Sequence, residues 1–274
     1  MTELMQGKRG LIMGVANDHS IAWGIASKVA EHGATLSFTY QGEAVEKRVR
    51  SLASSLPTPV DGKLILPCDV EDLTSVDAVF DTLKDAWGEL DFVVHAIGFS
   101  DKNQLKGRYV DVTTRDNFIR TMVISSFSFT EVAQRALPLM NGGGSLLTLT
   151  YNGSQRVMPN YNVMGLAKAA LESSVRYLAA DLGPQGIRVN AISAGPVRTL
   201  AGAGIGDARH MFNFQKTHSP LQHGTTIEEV GGAALYLLSD LSCGVTGETH
   251  FVDSGYNIIC MPRMERLKAD SGDA

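Results

Sequence analysis

The sequence predicts an α/β fold in which a doubly wound sheet of seven parallel strands carries helices on both faces. Two observations lead to this prediction. Short apolar runs, typical of strands buried on both faces, alternate with segments of helical periodicity along the whole chain. The sequence also lacks the hairpin turns that an antiparallel α+β arrangement would need. Because no repeat or linker interrupts the alternation, we expect a single catalytic domain spanning residues 1–274.

The individual elements follow from local signals. Ser20 is suited to cap the first helix, and Gly33 ends that helix as its C′ residue. A glycine-rich stretch at 198–225 has weaker periodicity than the rest. Strands are predicted at 8–14, 34–40, 63–70, 91–98, 145–151, 187–196 and 247–255, and helices at 21–32, 43–56, 72–88, 113–140, 160–182 and 227–240.

Composition excludes several classes of function. A net charge of −5 and 19% charged residues argue against a nucleic-acid partner. No apolar run reaches the roughly 18 residues of a membrane span, and the N-terminal segment lacks the apolar core of a signal peptide. Cys68, Cys243 and Cys260 are odd in number and far apart, which favours a reducing cytoplasm. The histidines are scattered without a ligand pattern, so we expect no metal site.

The first strand-to-helix connection is the expected dinucleotide site, since ligands of doubly wound sheets bind beyond the carboxyl ends of the strands. Here it reads GVANDHSIAWG from Gly14 to Gly24, so a longer loop replaces the middle glycine of G-x-G-x-x-G. The helix that starts near Ser20 still directs N–H groups and a positive dipole end toward a phosphate. A turn without a ligand would look much the same, and this loop alone leaves both interpretations open.

Residues after the next strands bear on the choice of nucleotide. Gln41 follows the second strand, where such folds place an acid for the ribose 2′-hydroxyl or an arginine for a 2′-phosphate. A neutral amide favours NADH over NADPH, although Gln41 also fits an ordinary solvated loop residue. Asp69 follows the third strand, either as an adenine contact or as a helix cap. Gly98 follows the fourth, where glycine lets the backbone approach a ribose or nicotinamide.

Tyr151, Tyr161 and Lys168 are the candidate catalytic residues. Seven helical residues separate Tyr161 from Lys168 by about 10.5 Å on nearly one face, so both reach a ligand, such as a ribose, that lies between them. A phenol can donate to the oxyanion that hydride addition creates, and a nearby ammonium is expected to lower the pKa of that phenol. The alternative is a tyrosine that packs in the core and a lysine that is solvated.

These residues resemble the short-chain dehydrogenase/reductase superfamily, whose fold is Rossmann-like. Most of its members place tyrosine and lysine four residues apart, whereas that position here is Gly165. The seven-residue step, with a second tyrosine ten residues earlier, is similar to the divergent branch of bacterial NADH-dependent enoyl-[acyl-carrier-protein] reductases of type II fatty-acid synthesis. The family motifs are GVANDHSIAWGIA, FTYQ, CDV, HAIGF, PNYNVMGLAKAALE, RVNAISAGPVRTLA and SDLSCGVTGE, which extend over nearly the whole chain.

The resemblance implies roles for particular residues. Tyr161 would stabilise an enolate formed from an enoyl thioester, Lys168 would bind the nicotinamide ribose, and Tyr151 would line the substrate pocket. Ser100 would lie near the thioester, at a position where the family often has alanine. The residues implied to contact NADH are Gly14, Ser20, Ile21, Gln41, Asp69, Val70, Ile97, Val197, Arg198, Thr199, Leu200 and Ala201.

The resemblance also implies a flap and an assembly. Residues 198–216 would form a flap that orders over cofactor and acyl chain, with an apolar inner face from Leu200, Ile205, Met211 and Phe212. The family is typically a cytoplasmic homotetramer that accepts enoyl groups bound to the acyl carrier protein. Two alternatives stay open. An alcohol dehydrogenase or carbonyl reductase of the superfamily would use a hydroxyl such as Thr148 or Thr150, and a non-catalytic nucleotide sensor would have lost Tyr161 or Lys168.

Overall fold

The structure is a computed structural model that describes residues 3–199 and 208–261. One sheet forms its centre, and all neighbouring strands in it are parallel, in the order β3-β2-β1-β4-β5-β6-β7. This confirms the predicted fold class, and the strand order reverses between β1 and β4. The strands are β1 (Arg9–Met13), β2 (Thr35–Tyr40), β3 (Ile65–Pro67), β4 (Phe92–His95), β5 (Gly144–Thr150), β6 (Ile187–Ala194) and β7 (Thr249–Val252).

Helices cover both faces of the sheet, and each face has its own apolar core. On one face α1, α2 and α9 bury residues such as Ile25, Val49 and Val230. On the other, α3, α6 and α7 bury a second cluster that includes Phe129 and Leu171. The helices are α1 (Ile21–Glu31), α2 (Glu43–Ser54), α3 (Leu73–Trp87), α4 (Tyr109–Val112), α5 (Arg115–Met122), α6 (Ser128–Ala136), α7 (Asn162–Leu182), α8 (Ala208–His218) and α9 (Ile227–Leu238).

Several strands are shorter than predicted. The apolar runs at 91–98 and 187–196 leave the sheet after His95 and Ala194. The residues beyond these points form the connections at the carboxyl edge of the sheet. The last residues of these apolar runs therefore belong to loops. They are apolar because they line a cavity, and local hydrophobicity cannot distinguish such a loop from a buried strand.

The prediction of a single helix at 113–140 is wrong, because the structure divides this range into separate helical elements. α5 begins after Thr114, whose hydroxyl accepts the Asn117 N–H (3.3 Å). A π-helical turn, Val123–Phe127, separates α5 from α6, and a 3₁₀ turn follows α6. Ser125 in the π turn accepts the Phe99 N–H (2.9 Å) and donates to the Phe99 carbonyl (3.0 Å). These bonds join residues 26 positions apart, so local periodicity could not reveal the break.

The weakly periodic stretch at 198–225 contains α8, and its residues 200–207 lie outside the described part of the chain. Across the two described ranges, no helix is both long and apolar enough to span a membrane. Within the same ranges, no three His, Cys, Asp or Glu side chains are grouped closely enough to hold a metal ion.

We expect Thr226→Ala to lower the free energy of unfolding by about 1 kcal/mol, because Thr226 caps α9. Its hydroxyl accepts the Glu229 N–H (3.2 Å), while the Glu229 carboxylate accepts the Thr226 N–H (2.9 Å). Urea denaturation measures the change. Thr74→Ala is the matched control, since Thr74 is exposed in the first turn of α3; an equal loss in both variants would contradict the capping role.

Candidate active site

A cavity of about 390 Å³ opens at the carboxyl ends of β4, β5 and β6. It brings together ten residues predicted for the site or its flap: Ile21, Ile97, Ser100, Tyr151, Tyr161, Lys168, Val197, Thr199, Met211 and Phe212. A larger cavity of about 580 Å³, beside Thr35 and Trp87, lies at the amino ends of the strands and contains none of these residues. The predicted site residues therefore identify the smaller of these two cavities as the candidate active site.

Tyr161 precedes α7 as its N-cap residue instead of lying inside the helix, which corrects the predicted start at residue 160. It is flanked by Asn160 and Asn162, both with positive φ. Its ring is buried, with 7% of the residue exposed, and packs edge-on against Tyr151 with 5.1 Å between ring centroids. The two tyrosines, one from each end of the β5–α7 connection, thus form one wall of the cavity.

Lys168 is buried on the cavity side of α7, and its ammonium donates to the Leu149 carbonyl (2.8 Å). Burial lowers the pKa of Lys168 to about 8, and the Glu172 carboxylate acts in the opposite direction. The pKa of Tyr161 is raised by burial and further by Tyr151 and Glu172. The expected lowering of the Tyr161 pKa is therefore wrong, because loss of solvation on burial is the main effect on this phenol. Tyr161 is a neutral O–H donor at neutral pH.

Gly165 explains why the lysine lies seven residues after the tyrosine. A Cβ at this position would stand 2.7 Å from the Gly153 carbonyl oxygen, so the β5–α7 connection rests directly on the helix. Gly153 in turn lies over the Tyr161 ring, where its own Cβ would approach within 2.4 Å. A lysine four residues after Tyr161 has no room, and the next residue on that helix face is Lys168.

The residues predicted for the nucleotide occupy the neighbouring strand ends. The Ser20 hydroxyl does not cap α1; it accepts the N–H groups of Ala16 and Asn17 (3.0 Å each) and so shapes the loop. The Gln41 side chain donates to Asp69 (2.9 Å), which places these two predicted contacts side by side. Asp72, not Asp69, caps α3. Of the other predicted contacts, Gly14, Val70 and Arg198 are described outside the cavity lining, and Leu200 and Ala201 lie outside the described residues.

Gly14 is required by the sheet itself. Its φ is +100°, and a Cβ there would stand 2.1 Å from the Ala96 carbonyl oxygen. The ends of β1 and β4 therefore meet closely at the point where the strand order reverses, which is the ligand position expected for this fold.

Ser100 lies in the loop after β4 and accepts hydrogen bonds from Asn117 (3.1 Å) and Thr121 (3.0 Å). Together with the bonds of Ser125 to Phe99, these contacts hold the loop against α5 and the π turn. Asn117, Thr121 and Ser125 were not predicted as supporting residues. Nothing in the sequence near Ser125 indicates this supporting role, because its hydrogen-bond partner, Phe99, is distant in the chain.

His95 was not predicted either, because the spacing of the histidines in the sequence bears only on metal binding. It is fully buried beside Lys168, with ring nitrogens 3.1 Å from the Thr148 hydroxyl and 2.9 Å from that of Ser128. Burial, and then Lys168, lower the pKa of His95 to about 3, so the ring is neutral. Thr148 is thus engaged behind the cavity, and Thr150 donates to Glu172 (2.7 Å). Neither hydroxyl is free for the role that an alcohol dehydrogenase would require.

Comparison with known proteins identifies relatives over the whole chain. Residues 14–257 match a family model described as enoyl-(acyl carrier protein) reductase. The chain is 69% identical over 273 residues to enoyl-[acyl-carrier-protein] reductase [NADH] 2 of Rhizobium meliloti, a match that covers 100% of both proteins.

Solved structures agree with this match. The chain is similar to FabI from Candidatus Liberibacter asiaticus, with a TM-score of 0.92 and 57% identity over 96% of this chain and 100% of the other. It is equally similar in sequence, at 57% identity, to the enoyl-(acyl-carrier-protein) reductase of Anaplasma phagocytophilum solved in complex with NAD. That match has a TM-score of 0.91 and covers 96% of this chain and 99% of the other.

We expect Gly165→Ala to destabilise the protein by about 1–3 kcal/mol and to lower its activity, because the added methyl pushes the Gly153 loop off α7. Thermal unfolding and steady-state assays measure the two effects. Gly232→Ala is the control, because Gly232 lies in helix α9 and a Cβ added there would meet nothing within 4 Å. That change should stabilise by about 0.5–1 kcal/mol; similar behaviour of both variants would disprove the contact.

Proposed function

The chain belongs to the enoyl-(acyl carrier protein) reductase family, and we propose that it is the NADH-dependent enzyme of that name, acting in fatty-acid synthesis. The observation that carries this proposal is the joint placement of Tyr161 and Lys168 on one cavity, with the four-residue lysine position closed by the Gly153 carbonyl. This arrangement separates the site from that of superfamily members whose lysine lies four residues after the tyrosine.

The residues at the strand ends fit a dinucleotide. Lys168 offers N–H donors to the hydroxyls of a nicotinamide ribose. A Cβ at Gly98 would lie 3.8 Å from the Lys168 ammonium nitrogen, so the glycine keeps a side chain away from it. Gln41 and Asp69 supply neutral and acidic groups for the second ribose, which suits the 2′-hydroxyl of NADH. The N-terminus of α1 faces the pyrophosphate, with Gly14 and Ser20 shaping the loop. The remaining proposed contacts are Ile21, Val70, Ile97, Val197, Arg198 and Thr199, with Leu200 and Ala201 outside the described residues.

NADH supplies the hydride, and the chain's own residues manage the charge that develops on the substrate. When hydride adds to the β-carbon of a trans-2-enoyl thioester, the double-bond electrons move toward the thioester oxygen and form an enolate. The Tyr161 hydroxyl, kept neutral by burial, donates to that oxygen. The α-carbon then takes up a proton that comes from solvent, and the saturated thioester results. Tyr151 and Ser100 border the thioester, with Tyr151 positioned against the Tyr161 ring.

The cavity wall also suits an acyl chain. Met164, Leu105, Met211 and Phe212 contribute apolar surface beyond the tyrosines. We place the substrate-binding flap at 198–216, where α8 presents Met211 and Phe212 to the cavity. The acyl carrier protein is the proposed donor of the enoyl group.

Assembly and location follow as further parts of the proposal. α5 exposes Ile119 (54%), the π turn exposes Phe127 (52%) and α7 exposes Tyr177 (74%), so the helices on this face offer apolar surface for the subunit contacts of a homotetramer. A cytoplasmic location fits three cysteines that are all free. One catalytic domain, 1–274, would carry both cofactor and substrate sites.

The purified protein should oxidise NADH in the presence of a trans-2-enoyl thioester, and Tyr161→Phe should lower turnover by about 10²–10³-fold while leaving NADH affinity unchanged. The Phe variant keeps the ring packing and removes only the hydroxyl. Absorbance at the NADH band follows turnover, and calorimetry follows binding. Tyr236→Phe, at an exposed position of α9 away from the cavity, is the control. Reduction of NAD by a secondary alcohol, without activity on the enoyl thioester, would contradict the proposal.

The kcat/KM for NADH should fall as pH rises through about 8, the pKa to which burial lowers Lys168. Below this pH the ammonium holds the ribose, and above it the side chain is neutral and loses one N–H donor and its charge. The pH profile of kcat/KM for NADH tests this expectation. Lys168→Arg stays protonated over the whole range, so its profile should lack the alkaline limb even though its activity is lower. If the Arg variant keeps the same alkaline limb as the unmodified protein, the titrating group is not Lys168.

A further inference from the structure

Glu172 is a buried carboxylate that the proposed reaction does not use. It lies four residues after Lys168 on α7, so the two side chains share one helix face. Only 5% of Glu172 is exposed. Burying a carboxylate is unfavourable unless hydrogen bonds or an opposite charge compensate it, so the groups around Glu172 indicate what the residue does.

Among the described residues, the hydrogen-bond donors to Glu172 come from the segment that carries Tyr151. The Thr150 hydroxyl donates to Oε1 (2.7 Å), and the Ser154 hydroxyl donates to the same oxygen. The Gln155 amide is 3.5 Å from Oε2. Since Thr150 and Ser154 stand on either side of Tyr151, the carboxylate holds both ends of the short segment that presents this ring to the cavity.

The same carboxylate acts on Lys168. The titratable groups that line the cavity or act on the Lys168 ammonium come from four places: Tyr151 and Tyr161 at the two ends of the β5–α7 connection, Glu172 on α7, His95 on β4, and Lys102 in the loop after β4. Both phenols are neutral because burial raises the pKa of Tyr151 and of Tyr161, and His95 is neutral because burial lowers its pKa. Among the described residues, Glu172 is therefore the charged neighbour that favours the protonated form of Lys168.

We propose that Glu172 is a positioning residue of this enzyme: its buried carboxylate holds the Tyr151 segment on α7 and keeps the Lys168 ammonium charged for cofactor binding. The inference rests on the proposed function and deepens it. Because Glu172 does not line the cavity, it acts through Lys168 and Tyr151 without touching either ligand. Its effect on cofactor binding is strongest near pH 8, where Lys168 is only partly protonated.

The test is Glu172→Gln, which keeps an oxygen for both hydroxyls and removes the charge. The alkaline limb of kcat/KM for NADH should move about one pH unit to lower pH, which lowers kcat/KM at pH 8 roughly fivefold. Ser154→Ala is the matched control, because it removes one donor and retains the carboxylate; it should lower kcat and leave the limb where it is. Thermal unfolding confirms that each variant is folded.

Two results would overturn the inference: an unmoved limb in Glu172→Gln, or an equal shift in Ser154→Ala, which would point to disturbed packing. If the Gln variant does not fold, Glu172→Met also removes the charge and is judged by the same outcomes. Calorimetric titration with NADH across the pH range, without thioester, provides an independent readout. It separates failure of this inference from failure of the proposed function, since binding reports on Lys168 even if the enoyl thioester is not reduced.

Discussion

The connection between β5 and α7 rests directly on the first turn of α7, and this contact determines where the candidate catalytic side chains lie. The Gly153 carbonyl occupies the space beside Gly165, and the Gly153 backbone covers the Tyr161 ring. No side chain fits at either glycine, so the lysine of the site is displaced along the helix to position 168. The second tyrosine reaches the cavity for the same reason, because the connection folds back and brings Tyr151 edge-on to Tyr161.

Burial then decides the charge of each group in this region. Two phenols and an imidazole are neutral, and the buried Lys168 ammonium has a pKa of about 8. A neutral phenol suits the proposed reaction, because the group that would meet a developing enolate has to donate a hydrogen bond. The ammonium is kept near its titration point by two opposing effects, desolvation and the Glu172 carboxylate. The low-dielectric surroundings that strengthen the proposed contacts to substrate also make Lys168 sensitive to a charge one helical turn away.

The sheet provides the frame for these contacts. Its parallel strands end on one edge, so loops far apart in sequence meet there, and the reversal of strand order between β1 and β4 opens the cleft. The π turn between α5 and α6 adds a second support, since Ser125 holds the loop after β4 by both backbone groups of Phe99. An uninterrupted helix at this point would turn Ser125 away from that loop.

Much of this protein was determined by the sequence alone. The alternation of apolar runs and helical periodicity specified the parallel sheet, and the spacing of Tyr151, Tyr161 and Lys168 indicated the candidate site. These signals depend on spacing along the chain and need no knowledge of contacts between distant residues. Only the tertiary structure decided the break in the 113–140 helix, the place of Tyr161 at the N-cap, the engagement of His95 and Glu172, and the neutrality of the phenols. Each depends on burial or on hydrogen bonds between residues distant in the chain. A carboxylate such as Glu172 looks like any helix-surface residue in the sequence until the fold shows that it is buried beneath Tyr151 and beside Lys168.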